Sequence, residues 1–147
     1  MKSVRIRRWR QDDFARLAEA EPGLSPRTLW LRFAAGMSTL PKTYLSSIAR
    51  RWPDDWDAVV ALDGDQVVGW AECARCGPQQ VEVGFCVVDP WQGRGVGTAL
   101  VPGILELARD QGITRIHADI LPSNAAAWAL WQRVTGSRNP DFALAAA

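Results

Sequence analysis

The chain has 147 residues, a formal net charge of +1 at pH 7, one histidine and three cysteines. This length predicts a single domain over residues 1–147, large enough to bury a full core. The balanced charge argues against a nucleic-acid partner, and no apolar run indicates a membrane span or a secretory signal, so we expect a cytoplasmic protein.

Hydrophobic periodicity and turn residues predict alternating helices and strands. In chain order they are a strand at 4–9, helices at 12–21, 25–35 and 41–49, a polar loop at 50–57, strands at 58–62, 67–74 and 81–88, a helix at 95–111, a strand at 115–121, a helix at 124–134 and a short strand at 142–145. Asp12, Ser25 and Ser123 are the expected N-caps, and Pro102 predicts a kink in its helix. The order βααα-βββ-α-β-α(β) indicates an α/β fold with a central mixed sheet flanked by helices.

The cysteines and the histidine do not form a recognisable metal site. Cys73 and Cys76 form a C-x-x-C pair, but only Cys86 and His117 remain as further ligands, and both lie in apolar strand patterns. A zinc site needs four such ligands, and three cysteines are no disulfide framework. We therefore predict no metal.

The most informative segment is VEVGFCVVDPWQGRGVGTAL, residues 81–100. It predicts an apolar strand, a glycine-rich turn and a helix N-terminus, which together suit a phosphate group. No lysine stands beside the glycines, which excludes a nucleotide P-loop, and the third glycine of the dinucleotide fingerprint is missing. Gln92, Gly95 and Gly97 instead fit the pattern Q/R-x-x-G-x-G/A.

That pattern is the acetyl-CoA pyrophosphate loop of the GNAT N-acetyltransferase superfamily, which this chain resembles. The order of elements also resembles the GNAT fold over nearly the whole chain. Three segments look like the catalytic domain of Pat-type bacterial protein lysine acetyltransferases: LSPRTLWLRF, VEVGFCVV followed by DPWQGRGVGTAL, and ARDQGITRIHADILPSN. The resemblance implies that acetyl-CoA is the cosubstrate and that an amine is the acceptor.

The resemblance also implies which residues hold the cosubstrate. They are the backbone of Cys86, Val87 and Val88 along the pantetheine arm, the loop residues Gln92, Gly93, Arg94, Gly95, Val96, Gly97 and Thr98, and Asn124 at the last helix. One strand N–H is expected to stabilise the oxyanion. Asn124 is equally well explained as a helix cap. Many relatives protonate the leaving thiolate with a tyrosine, and the matching residue here is Trp131, which has no hydroxyl.

Glu82 is the candidate general base. It lies among apolar residues on the strand before the loop, a setting that suits a carboxylate that must accept a proton. From Glu82 to Val88 an extended strand covers ~20 Å, comparable to the reach of a pantetheine arm. The alternative is a solvated glutamate on a half-exposed strand.

Three functions remain open from the sequence. The first is acetylation of the ε-amine of a protein lysine, on a substrate such as an acyl-CoA synthetase. The second is acetylation of a small amine, such as a polyamine, an aminoglycoside or an amino acid. The third is an acyl-CoA sensor without turnover. We expect a monomer or a homodimer.

Overall fold

The computed structural model describes residues 3–145. Its helices are α1 (Asp13–Ala20), α2 (Pro26–Phe33), α3 (Lys42–Arg51), α4 (Val96–Asp110) and α5 (Ala125–Thr135). Its strands are β1 (Arg5–Arg8), β2 (Trp56–Asp63), β3 (Gln66–Gly77), β4 (Gln80–Val87), β5 (Arg115–Ala118) and β6 (Asp141–Ala143). Every predicted helix and strand is present in the predicted order, and the α/β fold class is confirmed.

The strands form one mixed sheet in the order β1-β2-β3-β4-β5-β6. Neighbouring strands are antiparallel except β4 and β5, which are parallel and joined through α4. The β4–β5 pairing ends at Val83 and Ala118. β5 is therefore shorter than the predicted 115–121, whereas β4 continues to Val87. The two strands separate beyond that point.

Helices cover both faces of the sheet. A Cβ on Gly103 of α4 would come within 3.3 Å of Val59 and 3.6 Å of Ile6, so this face packs closely against α4. Arg7 follows Ile6 in β1, and neighbouring residues of a strand face opposite ways, so Arg7 points to the other face of the sheet. There it bonds Asp13 of α1. α4 is continuous although Pro102 lies inside it. The helix is therefore intact as predicted, with its apolar face packed along the sheet, and a bend at Pro102 stays a prediction.

The segment 50–57, predicted as a polar loop, contains part of the core. Trp56 opens β2 and is only 2% exposed. Its ring meets that of Trp9 edge-on, with centroids 5.2 Å apart. Its charged neighbours Asp54 and Asp55 stay exposed, which is why the composition of the segment predicts a loop. No helix within residues 3–145 is long and apolar enough to cross a membrane.

Asp13 is a fully buried carboxylate at the start of α1. It accepts two hydrogen bonds from Arg7 (2.7 and 3.0 Å), one from Arg16 (3.2 Å) and one from the backbone N–H of Arg10 (2.7 Å). Burial raises the pKa of Asp13, but these hydrogen bonds outweigh burial and leave it below its ordinary value. The expected cap, Asp12, makes no capping hydrogen bond.

The other two predicted caps have different outcomes. Ser25 caps α2 as predicted, because its Oγ accepts from the N–H of Thr28 (3.2 Å). Ser123 does not cap α5. Asn124 does so instead, since its Oδ1 accepts from the N–H of Ala127 (3.2 Å).

Candidate functional site

The candidate site begins where β4 loses its parallel partner. Residues of an antiparallel strand alternately turn their peptide groups toward and away from the neighbouring strand. Val88 donates its N–H to Val68 on the β3 side (3.0 Å). The peptide groups of Phe85 and Val87 therefore turn away from β3, toward the opened edge. They are placed to bond an extended ligand arm.

This register corrects two predicted backbone contacts. The N–H of Val88 bonds Val68, and its carbonyl oxygen accepts from Trp91 (2.9 Å). Cys86, which lies opposite Trp70, turns its peptide groups toward β3 by the same alternation. Phe85, like Val87, turns its peptide groups toward the opened edge instead. Sequence reasoning missed Phe85 because a shift of one residue exchanges the two sides of a strand.

A cavity of about 350 Å³ follows the opened edge, between α2, α4, α5 and the glycine-rich loop. Of the predicted cosubstrate contacts, these line it: Cys86, Val87, Gln92, Gly93, Gly95, Val96, Gly97, Thr98 and Asn124. Val88 and Arg94 do not. The guanidinium of Arg94 instead lies over the ring of Trp91, 5.0 Å from its centroid.

The glycine-rich loop needs glycine for its conformation. Gly93 and Gly95 have φ angles of 73° and 83°, in the left-handed region, yet a Cβ on either would meet nothing within 4 Å. The left-handed backbone conformation, and not a lack of space for a side chain, therefore requires glycine at both positions. Gly95 is the N-cap of α4, and no side chain caps this helix. Its first N–H groups face outward beside the positive end of the helix dipole, an arrangement that favours a phosphate.

Helix α2 is fastened to this loop by hydrogen bonds that the sequence did not reveal. Asp89 accepts from the N–H of Ser25 (3.1 Å) and from the hydroxyl of Thr28 (2.8 Å). Burial raises the pKa of Asp89, but these bonds prevail and lower it overall. The side-chain amide of Gln92 donates to Thr28 Oγ1 and to the carbonyl of Val87, both at 3.0 Å. α2 therefore lies along the same edge as the cavity.

The other end of the cavity holds a buried ion pair. Arg32 of α2 pairs with Glu72 of β3, which also accepts from Tyr44 Oη (2.6 Å) and Trp56 Nε1 (2.7 Å). Glu72 is only 3% exposed. Burial raises the pKa of Tyr44 to about 12, so its hydroxyl stays protonated and donating. In the sequence, this ion pair is visible only as a glutamate, Glu72, inside an apolar strand pattern. That pattern does not identify its partner Arg32, which lies 40 residues earlier.

Glu82 lies half-buried on β4, two residues before Gly84 on the same face. It stands opposite Ala74 on β3 and beside His117 on β5. His117 Nδ1 lies 2.9 Å from Asp141 Oδ1. Glu82 does not line the cavity, whereas Gly84, its neighbour along the same face, does. A carboxylate there could meet an amine that approaches from the α2 side.

Trp131 lines the cavity and is buried. Its Nε1 donates to the carbonyl of Asn139 (2.6 Å), so the indole has no remaining proton to give. Burial raises the pKa of the Cys86 thiol to about 12. Among residues 3–145, no group of three or more histidine, cysteine or acidic side chains is placed to hold a metal.

Comparison with known families decides which family has this site. The model of the Acetyltransferase (GNAT) family matches residues 6–136, most of the chain. The chain belongs to the GNAT family. Its sheet, its opened edge and its glycine-rich loop are therefore the family's fold, as predicted from the sequence.

Two solved structures and two curated enzymes are similar to this chain. The GNAT domain of PAT from S. lividans is 27% identical, with a TM-score of 0.81, over 89% of this chain and 80% of that one. yncA from Salmonella typhimurium, solved with acetyl-CoA, is 21% identical with a TM-score of 0.71, over 90% and 79%. The L-2,4-diaminobutyric acid acetyltransferases of Shouchella clausii and Methylotuvimicrobium alcaliphilum are 33% and 35% identical, over 59% and 51% of this chain. The chain spans about half the length of these two enzymes, 51% and 45%.

The cavity fits acetyl-CoA, the cosubstrate of GNAT enzymes. The helix N-terminus at Gly95 offers N–H groups for the pyrophosphate, and the peptide groups of Phe85 and Val87 face the path of a pantetheine arm. This path is open because β4 and β5 diverge where their pairing ends at Val83 and Ala118. Bound there, acetyl-CoA supplies an activated acetyl group.

Gly95→Ala is expected to weaken CoA binding about tenfold, or ~1.4 kcal/mol. The added methyl group clashes with nothing, but alanine disfavours the φ of 83° by ~1–2 kcal/mol, so the loop relaxes and its N–H groups turn. Titration calorimetry with CoA measures the effect.

Gly112→Ala is the matched control for this prediction. Gly112 follows the other end of α4, has φ 72° and has equally open surroundings. Both variants should lose a similar free energy of unfolding, but only Gly95→Ala should lose affinity. Equal CoA affinity in the two variants would contradict the assignment of the loop.

Proposed function

We propose that this protein transfers the acetyl group of acetyl-CoA to the ε-amine of a protein lysine, on a substrate such as an acyl-CoA synthetase. The cavity along the opened β4 edge carries the proposal, because it joins a helix N-terminus suited to an anion to the peptide groups of Phe85 and Val87, and Glu82 lies on the same strand, two residues before the lining residue Gly84. The similarity to the S. lividans PAT domain, 27% identity over 89% of this chain, agrees with the resemblance of three sequence segments to Pat-type protein lysine acetyltransferases. That resemblance supports a protein acceptor.

The residues of the chain take separate roles in this proposal. The N–H groups at the start of α4 hold the pyrophosphate, and the backbone of Phe85 and Val87 aligns the arm. A backbone N–H on this edge faces the thioester oxygen and stabilises its negative charge. Glu82 takes the proton that the amine loses as its nitrogen bonds to the acetyl carbon. The apolar cavity wall keeps water from the thioester.

A small amine is the second candidate acceptor. The curated relatives, 33% and 35% identical, are L-2,4-diaminobutyric acid acetyltransferases. Diaminobutyrate, like lysine, presents a primary alkylammonium at the end of a short carbon chain. The same carboxylate could therefore deprotonate either acceptor, and the two differ in what surrounds the amine.

The acceptor is tested by release of free CoA from acetyl-CoA, detected with a thiol reagent. Acceptors are a purified acyl-CoA synthetase, the same synthetase with its lysines blocked by methylation, L-2,4-diaminobutyrate and a polyamine panel. The proposal predicts release with the untreated synthetase alone. Release with diaminobutyrate or a polyamine, and none with the synthetase, would make the small amine the acceptor. Calorimetry with acetyl-CoA runs beside it, and no binding at millimolar concentration would overturn both candidates.

A further inference from the structure

Two donor side chains that line the cavity, Trp131 and Thr28, already donate their protons in hydrogen bonds to other partners. As the amine nitrogen bonds to the acetyl carbon, the carbon–sulfur bond breaks and its electron pair stays on sulfur as a thiolate. Trp131 gives its N–H to Asn139, and Thr28 gives its hydroxyl to Asp89. Neither of these two residues can therefore protonate the sulfur.

Arg32 is the one cationic side chain among the described residues that line this cavity. Its guanidinium lies flat against β4, since a Cβ on Gly84 would come 2.5 Å from Nη2 and 2.8 Å from Nε. Arg32 Nε is buried against Gly84 and has no hydrogen-bond partner within residues 3–145. The Arg32 side chain as a whole lines the cavity and stays 20% exposed, so part of it is open to a ligand there.

The course of α2 puts this charge at the acetyl end of the cavity. Thr28 bonds Gln92 of the glycine-rich loop, and Arg32 follows one helical turn later, over Gly84. An arm that starts at the loop and passes Val87 therefore ends beneath the guanidinium. The positive charge of Arg32 also acts on the buried thiol of Cys86 nearby, where it opposes the rise in pKa that burial causes.

We propose that Arg32 is a further catalytic residue, whose guanidinium stabilises the CoA thiolate as the carbon–sulfur bond breaks. The balance of the step is complete without a general acid. The neutral amine forms the carbon–nitrogen bond, its proton passes to Glu82, and the sulfur leaves as the thiolate. Glu72 is a positioning residue, because it holds Arg32 against Gly84. This inference rests on the proposed acetyl transfer, whichever amine is the acceptor.

The test compares three proteins: wild type, Glu72→Gln, and the double variant Arg32→Gln with Glu72→Gln. The double variant removes the cation without leaving a buried carboxylate unpaired, and the introduced glutamine side chain can still accept from Tyr44 and Trp56. Glu72→Gln is the reference, because it breaks the ion pair and keeps the cation. Turnover in the double variant should fall about 10²-fold below this reference, with an unchanged KM for acetyl-CoA.

A second readout needs only CoA and no acceptor. The ultraviolet absorbance of the thiolate is followed against pH for CoA bound to each protein. In wild type the pKa of the bound thiol should lie about 1–3 pH units below the value of ~8.5 for a free thiol. In the double variant it should return to that value or rise above it. A merely structural ion pair would not produce this difference.

The outcomes are distinct. Turnover in the double variant within about threefold of Glu72→Gln, or the same bound-thiol pKa in both, would overturn the role of Arg32. If the double variant does not fold, Arg32→Lys and Arg32→Gln decide the question, because the lysine variant keeps a charge and should retain the lowered thiol pKa. If wild type acetylates no acceptor, the proposed function fails, whereas the thiol titration still tests Arg32.

Discussion

Glu82→Gln is expected to lower kcat/KM for amine acetylation about 10²–10⁴-fold, the usual contribution of a general base. Glutamine keeps the size and shape of the side chain but cannot accept a proton from the attacking nitrogen. Acetyl-CoA affinity should not change, because Glu82 is not part of the cavity wall. Steady-state rates with saturating acetyl-CoA and varied acceptor, beside calorimetry, measure both quantities.

Glu106→Gln is the control for this loss of activity. Glu106 is exposed on α4, and the substitution removes the same charge from the protein. It should leave kcat/KM unchanged. Full activity in Glu82→Gln would show that another group takes the proton, and Asp119, which lines the cavity, would be the next carboxylate to replace.

Asp13→Ala is expected to lower the free energy of unfolding by about 3–5 kcal/mol, the usual cost of removing one partner of a buried ion pair. The substitution removes the acceptor of four hydrogen bonds and leaves Arg7, whose Nε is already buried without a partner, as an uncompensated charge. Urea unfolding followed by tryptophan fluorescence at pH 7 measures the loss.

The neighbouring residue supplies the control for Asp13. Asp12 is exposed and makes no capping hydrogen bond, so Asp12→Ala should change stability by less than ~0.5 kcal/mol. A loss of less than about 1 kcal/mol in Asp13→Ala, comparable to that control, would show that the buried network contributes little.

The effect of Asp13 should also depend on pH. The pKa of Asp13 is lowered in the folded protein, so the unfolded chain binds its proton first as the pH falls. The stabilisation is therefore fully present above the unfolded value of ~3.9 and is lost as the pH falls through the folded pKa. The difference in stability between wild type and Asp13→Ala should shrink in acid.

The parts of this molecule that depend on local sequence were predictable. The helix start at Ser25, the glycines at 93 and 95 and the order of helices and strands each follow from a few neighbouring residues. β5 was predicted three residues too long, because sequence does not show where two strands diverge. The end of pairing at Ala118 is nonetheless what opens the cavity.

Other features depend on contacts between distant residues. Phe85, and not Cys86 or Val88, turns its peptide groups to the opened edge, because register against β3 decides which way each residue faces. Trp56 is buried although acidic residues surround it, since β2 begins there. The ion pair of Arg32 and Glu72 joins α2 to β3. No local pattern identifies these three features.

Gln92 connects the glycine-rich loop to both β4 and α2. Its amide bonds Val87 on the path of the cosubstrate and Thr28 on α2, the helix that carries Arg32 to the acetyl end. If the cosubstrate changes the affinity for the acceptor through this connection, the acceptor changes the affinity for the cosubstrate by the same factor. A substitution at Thr28, which joins the loop to α2, is therefore expected to alter that coupling.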